Sequence, residues 1–184
     1  MTPLYQNDRR WSSLMLGAGP STIGRAGCVL TSLTMAAREL GVRPDLLPPH
    51  ANVACTLSNA FVGDELVVPQ AALALGLLAD EAVHGLPGDP TLATELLQRL
   101  MRGMAILRID IDLNGTGDHS ILAVSRNQDG TINCLCPAVG RVALGADLMA
   151  TVDWGHKDKV TTRWVPDLKK YRVVGVRGLA RPTH

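Results

Sequence analysis

The chain has 184 residues, 46% of them hydrophobic and 19% charged, with a formal net charge of +1. This composition is typical of one globular domain with its own core, and it excludes a disordered chain or a small disulfide-stapled scaffold. The near-neutral charge excludes nucleic acid as the main partner. Because no apolar stretch reaches the roughly 20 residues that span a bilayer, no membrane segment is predicted.

The N-terminal sequence "MTPLYQNDRRW" has no apolar run after its charged residues, so it does not predict a secretory signal peptide. We therefore expect the protein to be synthesised in the cytoplasm. To act in a cell wall or a virion, it would be carried there or released by lysis. The cysteines at 28, 55, 134 and 136 are expected to be free thiols. Since Cys134-x-Cys136 has no second ligand pair at zinc spacing, neither a metal nor a cofactor is predicted.

Three helices are predicted in the first half of the chain. The first begins at Cys28 and ends before Gly41, because residues 30, 33, 36, 37 and 40 are apolar at helical spacing. The second covers 69–82 and the third 89–103, capped by Asp89 or Thr91. Residues 1–27 are predicted as an irregular arm, and 42–69 as short helical turns.

The pattern then changes to short runs typical of strands. They cover 104–112, 119–127, 131–136, 139–144 and 171–178, and turn sequences such as "LNGTGD" and "QDG" separate the first three. Helices followed by an antiparallel sheet predict the α+β class. We expect a main domain over 1–150 and a basic extension over 151–184 that completes or flanks it. The extension holds eight Lys and Arg against three Asp, which indicates a solvated basic edge or a surface for an anionic partner.

The position of Cys28 raises a chemical question, since a glycine-containing loop leads directly to this first helical residue. A helix N-terminus offers unpaired N–H groups and the positive end of the helix dipole, which favour a thiolate. Gly24 and Gly27 allow the backbone to bend closely around the sulfur. Cys28 is therefore a candidate nucleophile, and the alternative is a small residue packed under the loop.

His119 follows "NGTGD" and opens a predicted strand, where its ring can face a cleft. A cysteine and a histidine can act as nucleophile and base, because the imidazole takes the thiol proton and later protonates the leaving amine. The developing oxyanion needs donors, for which the Cys28 backbone N–H and the Gln6 side-chain amide are candidates.

These segments resemble the papain-like cysteine peptidases, in particular the bacteriocin-leader (double-glycine) peptidases and their bacterial and phage relatives. The resemblance rests on "QNDRRW", "TIGRAGCVLTSLTMAA", "RGMAILRIDI", "GDHSILAV" and "INCLCPAVG", and covers about residues 4–145. It implies a papain-like α+β fold with N-terminal helices packed on an antiparallel sheet. It also implies Cys28 as nucleophile, His119 as base and Gln6 as oxyanion donor.

The sequence departs from that pattern at the residue that orients the histidine. The family places Asp before the Pro of the strand-end motif, and here Cys136 stands there. Strand alternation puts Asn133 on the opposite face, so it is not expected to substitute, and Asp118 and Asp147 are weaker candidates. Gln6 lies farther from Cys28 than in the leader peptidases, and Ser120 replaces a bulky residue after the histidine.

Two hypotheses of different classes remain open. The first is a cysteine peptidase or amidase acting on a peptide, with a peptidoglycan stem peptide in a phage or bacterial cell-wall setting as the favoured substrate and a double-glycine leader peptide as the alternative. The second is a papain-fold module with weakened catalysis that binds protein partners in a larger assembly such as a phage tail. A neutral Cys136 thiol at the orienting position favours the second hypothesis.

Overall fold

A computed structural model describes residues 2–111, 117–157 and 164–182, with the backbone alone for 156 and 157. Most of the predicted "LNGTGD" turn therefore lies outside the described residues. The same holds for Lys159 and Arg163 of the basic extension.

Five helices occur in the described part of the chain. They are α1 (Ile23–Ala26), α2 (Cys28–Glu39), α3 (Pro48–Leu57), α4 (Val68–Ala74) and α5 (Pro90–Leu100). The predictions for α2 and α5 are confirmed. Gly41, with φ of +69°, follows the end of α2, and the Asp89 carboxylate accepts a 2.8 Å hydrogen bond from the Thr91 N–H at the start of α5.

Two helix predictions need correction. The helix predicted over 69–82 is wrong in its second half, because Gly76 adopts a φ of +80° and stops α4 after about two turns. The short turns predicted over 42–69 are instead one ten-residue helix, α3, followed by a small hairpin. Pro48 and Pro49 lie in the first turn of α3, where a missing N–H costs nothing.

The predicted strands are confirmed, and several short ones were not foreseen. The strands are β1 (Phe61–Val62), β2 (Glu65–Leu66), β3 (Leu78–Ala79), β4 (Val83–His84), β5 (Met104–Asp110), β6 (His119–Arg126), β7 (Ile132–Cys136), β8 (Gly140–Leu144), β9 (Met149–Asp153), β10 (His156–Lys157), β11 (Trp164–Val165) and β12 (Leu168–Ala180). The main sheet runs β3-β12-β5-β6-β7-β8, all antiparallel, and β4 and β9 also pair with β12.

The sheet carries helices on both faces, which explains why β5 and β6 are apolar along most of their length. On one face, α2 packs on Ile106, Leu122 and Leu135, and α3 and α4 pack on α2. On the other face, Leu92 and Leu96 of α5 belong to the same core cluster as Leu107 and Ile121. The α+β class, with helices packed on an antiparallel sheet, is therefore confirmed. No helix in the described ranges is long and apolar enough to cross a bilayer.

Candidate active site

A cavity of about 460 Å³ lies where the N-terminus of α2 meets the sheet. Cys28 from α2 and His119 from the start of β6 both line it, although they are far apart in the sequence. The hairpin of β1 and β2 supplies the facing wall through Asp64, Glu65 and Leu66. The fold therefore brings the candidate nucleophile and the candidate base to one solvent-accessible space.

Cys28 is half-buried, whereas Cys55, Cys134 and Cys136 are buried, and all four are free thiols. Loss of solvent around its sulfur raises the pKa of the Cys28 thiol, while the Ser120 backbone and the N–H groups at the start of α2 lower it in part. Desolvation therefore opposes the thiolate that the helix N-terminus favours, and it is the larger of the two effects. The residue rests as a thiol, and ionisation needs a base.

His119 is the candidate for that base because it lines the same cavity, and the residue is 5% exposed. Burial lowers the pKa of His119 to about 4, so the imidazole is neutral at neutral pH. Its Nε2 atom lies 3.3 Å from the Cys136 Sγ atom. Because Nε2 has this partner, Nδ1 is the ring nitrogen that the predicted proton transfer from Cys28 would use.

Cys136 is therefore the hydrogen-bond partner of the His119 ring, its role in orienting that ring stays a prediction, and a hydrogen-bond chain continues behind it. Its Sγ lies 3.2 Å from the Tyr171 hydroxyl, which accepts a 2.8 Å hydrogen bond from Trp154 Nε1. The hydroxyl proton of Tyr171 is thus free to point at the sulfur. The Trp154 and Tyr171 rings also lie 5.3 Å and 5.9 Å from the His119 ring, centroid to centroid, so the imidazole is held by packing as well.

Gln6 approaches this region without entering the cavity. Its backbone N–H donates to Pro137 O at 2.9 Å, so the N-terminal arm folds back beside Cys136. Its side-chain Nε2 donates to Gly24 O at 3.0 Å, in the loop before Cys28. Gln6 Oε1 is buried without a hydrogen-bond partner among the described residues. Its role as oxyanion donor stays a prediction.

The weaker orienting candidates have other partners. Asp118 is exposed and accepts from the Ile111 N–H, and Asp147 accepts from the Met149 N–H in the turn before β9. Asn133 bonds to Ser125 and Asn127 on the face away from Cys134 and Cys136, as strand alternation predicts.

Tyr171 and Trp154 are the site residues that sequence reasoning missed. Both lie in the segment that was expected to be a basic extension. A usable signal existed, because the whole chain has only six aromatic residues and three of them, Trp154, Trp164 and Tyr171, occur in this segment. A scarce aromatic in a strand is most often buried, and a buried Tyr or Trp needs a hydrogen-bond partner.

No protein-family profile matches the sequence, and no curated protein matches it. The chain is similar in structure to a solved double-glycine motif protease from an AMS/PCAT transporter, determined in complex with the leader peptide. That likeness has 15% sequence identity and a TM-score of 0.43, and it covers 95% of this chain and 99% of the other. Fold similarity at this level is compatible with many activities, so function has to come from the residues of the cavity.

Proposed function

We propose that this chain is a cysteine peptidase or amidase that hydrolyses a peptide bond, with Cys28 as the nucleophile and His119 as the base. The observation that supports the proposal is the shared cavity, which is lined by Cys28, the least buried of the four cysteines, and by the neutral imidazole of His119. The far side of that imidazole is fixed by Cys136. A nucleophile, a base and an orienting partner are the parts that acyl transfer requires.

The chemistry follows from the protonation states at rest. Both groups start neutral, so His119 Nδ1 takes the Cys28 proton as the sulfur attacks the substrate carbonyl. We expect the unpaired backbone N–H groups at the start of α2 to donate to the developing oxyanion, and we propose as a second donor the Gln6 amide, which has to turn from Gly24 O to reach it. The imidazolium then protonates the leaving amine, and a water molecule, activated by the same ring, hydrolyses the thioester.

The substrate that we propose is a peptide, and the two sources to compare are a peptidoglycan stem peptide and a leader peptide that ends in Gly-Gly. Action in a virion or cell wall is part of the same proposal. The second candidate function is a binding module in an assembly, and the neutral thiol of Cys136 beside His119 favours it. A thiol stabilises an imidazolium less than a carboxylate does.

The proposal is tested by incubating the purified chain with a peptide library, to which cell-wall stem peptides and Gly-Gly leader peptides are added. We expect new N-termini by mass spectrometry with the wild-type chain and none with Cys28→Ala. Cys28→Ala removes one sulfur from the wall of the cavity, so it should leave the thermal unfolding midpoint nearly unchanged. Cleavage that persists in Cys28→Ala, or a wild-type chain that cleaves nothing, would refute the peptidase and leave the binding module.

A further inference from the structure

The register of the sheet aligns four residues in one row across the cavity floor. Ser120 of β6 pairs with Arg108 of β5, Arg108 pairs with Gly175 of β12, and Gly175 pairs with His84 of β4. All four line the cavity. Directly opposed residues on antiparallel strands point to the same face with Cβ atoms about 5 Å apart. Since Ser120 contacts the Cys28 thiol, Arg108 lies one strand away from the nucleophile.

Arg108 and Arg177 bring positive charge to this floor. Arg177 is paired with Ile106, one row further along the same face, and it also lines the cavity. Arg108 Nε donates to Gly117 O at 3.1 Å, and Arg177 donates to Asp80 O at 2.9 Å. Both partners are backbone carbonyls, which orient a guanidinium without cancelling its charge. The ion pairs among the described residues include neither arginine.

Gly175 is what allows this arrangement. A Cβ atom at that position would lie 2.9 Å from His84 Nδ1 and 3.2 Å from Arg108 Cβ. Only a residue without a side chain lets these two side chains approach each other across β12. Two acidic residues of the cavity, Asp64 and Glu65, lie in the β1–β2 hairpin, where Asp64 accepts a hydrogen bond from Ser21. The third, Asp118, lines the cavity beside Gly117, and its carboxylate accepts from the Ile111 N–H rather than pairing with either arginine.

We infer that the Arg108–Arg177 floor binds a carboxylate of the substrate, so the preferred peptides carry an acidic residue or a free carboxylate close to the scissile bond. This inference rests on the proposed function. A planar guanidinium held by a carbonyl presents its remaining N–H groups as a fork that matches a carboxylate. The floor is one strand from Cys28, which limits the carboxylate to a residue next to the bond that is cut.

The experiment compares cleavage sites in the peptide library for the wild-type chain, Arg108→Met, Arg177→Met and Arg102→Met. Methionine keeps much of the apolar stem and removes the charge, and Arg102 is an exposed control outside the cavity. We expect wild-type sites to be enriched in Asp or Glu at one fixed position. For a matched pair of peptides with Glu or Gln at that position, we expect kcat/KM to fall about tenfold to hundredfold for the Glu peptide in Arg108→Met. The Gln peptide should change little, and Arg102→Met should match the wild type.

Arg108→Lys should recover part of the preference, because it restores charge without the fork. Wild-type cleavage without an acidic preference would overturn this inference and leave the peptidase intact. If the ratio of kcat/KM for the Glu peptide to that for the Gln peptide were unchanged in both Arg108→Met and Arg177→Met, this inference would likewise be overturned and the peptidase would remain. A wild-type chain that cleaves no peptide would instead overturn the proposed function, and this inference with it.

Discussion

Replacing His119 with glutamine is expected to lower the rate of peptide hydrolysis by on the order of 10³-fold, with little change in KM. The reason is the resting state of Cys28, whose pKa is raised by the loss of solvent around its sulfur. Without a base beside it, the thiol has no acceptor for its proton during attack. Glutamine can still hydrogen-bond to Cys136 Sγ, which keeps the site packed. The measurement is kcat and KM on one peptide identified from the library.

The matched control for that variant is His50→Gln. His50 is an exposed residue of α3 and does not line the cavity, so its replacement should leave both constants within about twofold of the wild type. If His119→Gln retained wild-type turnover while remaining folded, the assignment of His119 as the base would be wrong.

Acidification is expected to destabilise the fold through the same histidine. Burial lowers the pKa of His119 to about 4 in the folded state, against an unfolded value near 6.5. Between these values the unfolded chain binds the extra proton, so the free energy of unfolding rises with pH and falls on acidification. From pH 7 to pH 5 the contribution of His119 to this loss is about 2 kcal/mol. Urea unfolding at pH 7, 6 and 5 measures it, and the difference between wild type and His119→Gln isolates it.

Cys136→Asp tests the physical cause of that pH dependence. A carboxylate beside Nε2 stabilises the imidazolium and raises the pKa of His119. The free energy of unfolding should therefore fall less between pH 7 and pH 5 than it does in the wild type. The same variant should show unchanged or increased turnover, since the imidazolium is also the form that His119 takes after accepting the Cys28 proton. If the wild type and His119→Gln lost the same free energy of unfolding between pH 7 and pH 5, titratable groups other than His119 would be the cause of the acid destabilisation.

The elements that position the site could be predicted because their signals are local. The apolar spacing after Cys28, the cap at Asp89 and the β-branched runs after Gly103 each act within a few residues, and each gave the right element. The helix predicted over 69–82 was too long because the prediction used the apolar pattern alone. Gly76 ends α4 through a positive φ, which an apolar pattern does not reveal.

The partners of His119 could be predicted only in part. Strand alternation placed Cys136 and Asn133 on opposite faces of β7, and the structure agrees. Tyr171 and Trp154 reach the same ring from β12 and from the segment after β9, and their approach depends on strand order, which no local pattern specifies. The direction of the pKa shift at Cys28 could not be predicted from the sequence either, because desolvation depends on the residues that the fold packs around the sulfur.

The most direct test of the paired roles of Cys28 and His119 is the rate at which iodoacetamide alkylates each cysteine at pH 6, with sites assigned by mass spectrometry. The three buried cysteines serve as internal reporters of unfolding. We predict that Cys28 is modified first in the native chain. We also predict that His119→Gln lowers the alkylation rate of Cys28 at least tenfold at pH 6. The difference between the two rates should become smaller toward pH 10, where hydroxide can ionise the thiol. Equal rates for Cys28 in the two folded proteins at pH 6 would contradict the account.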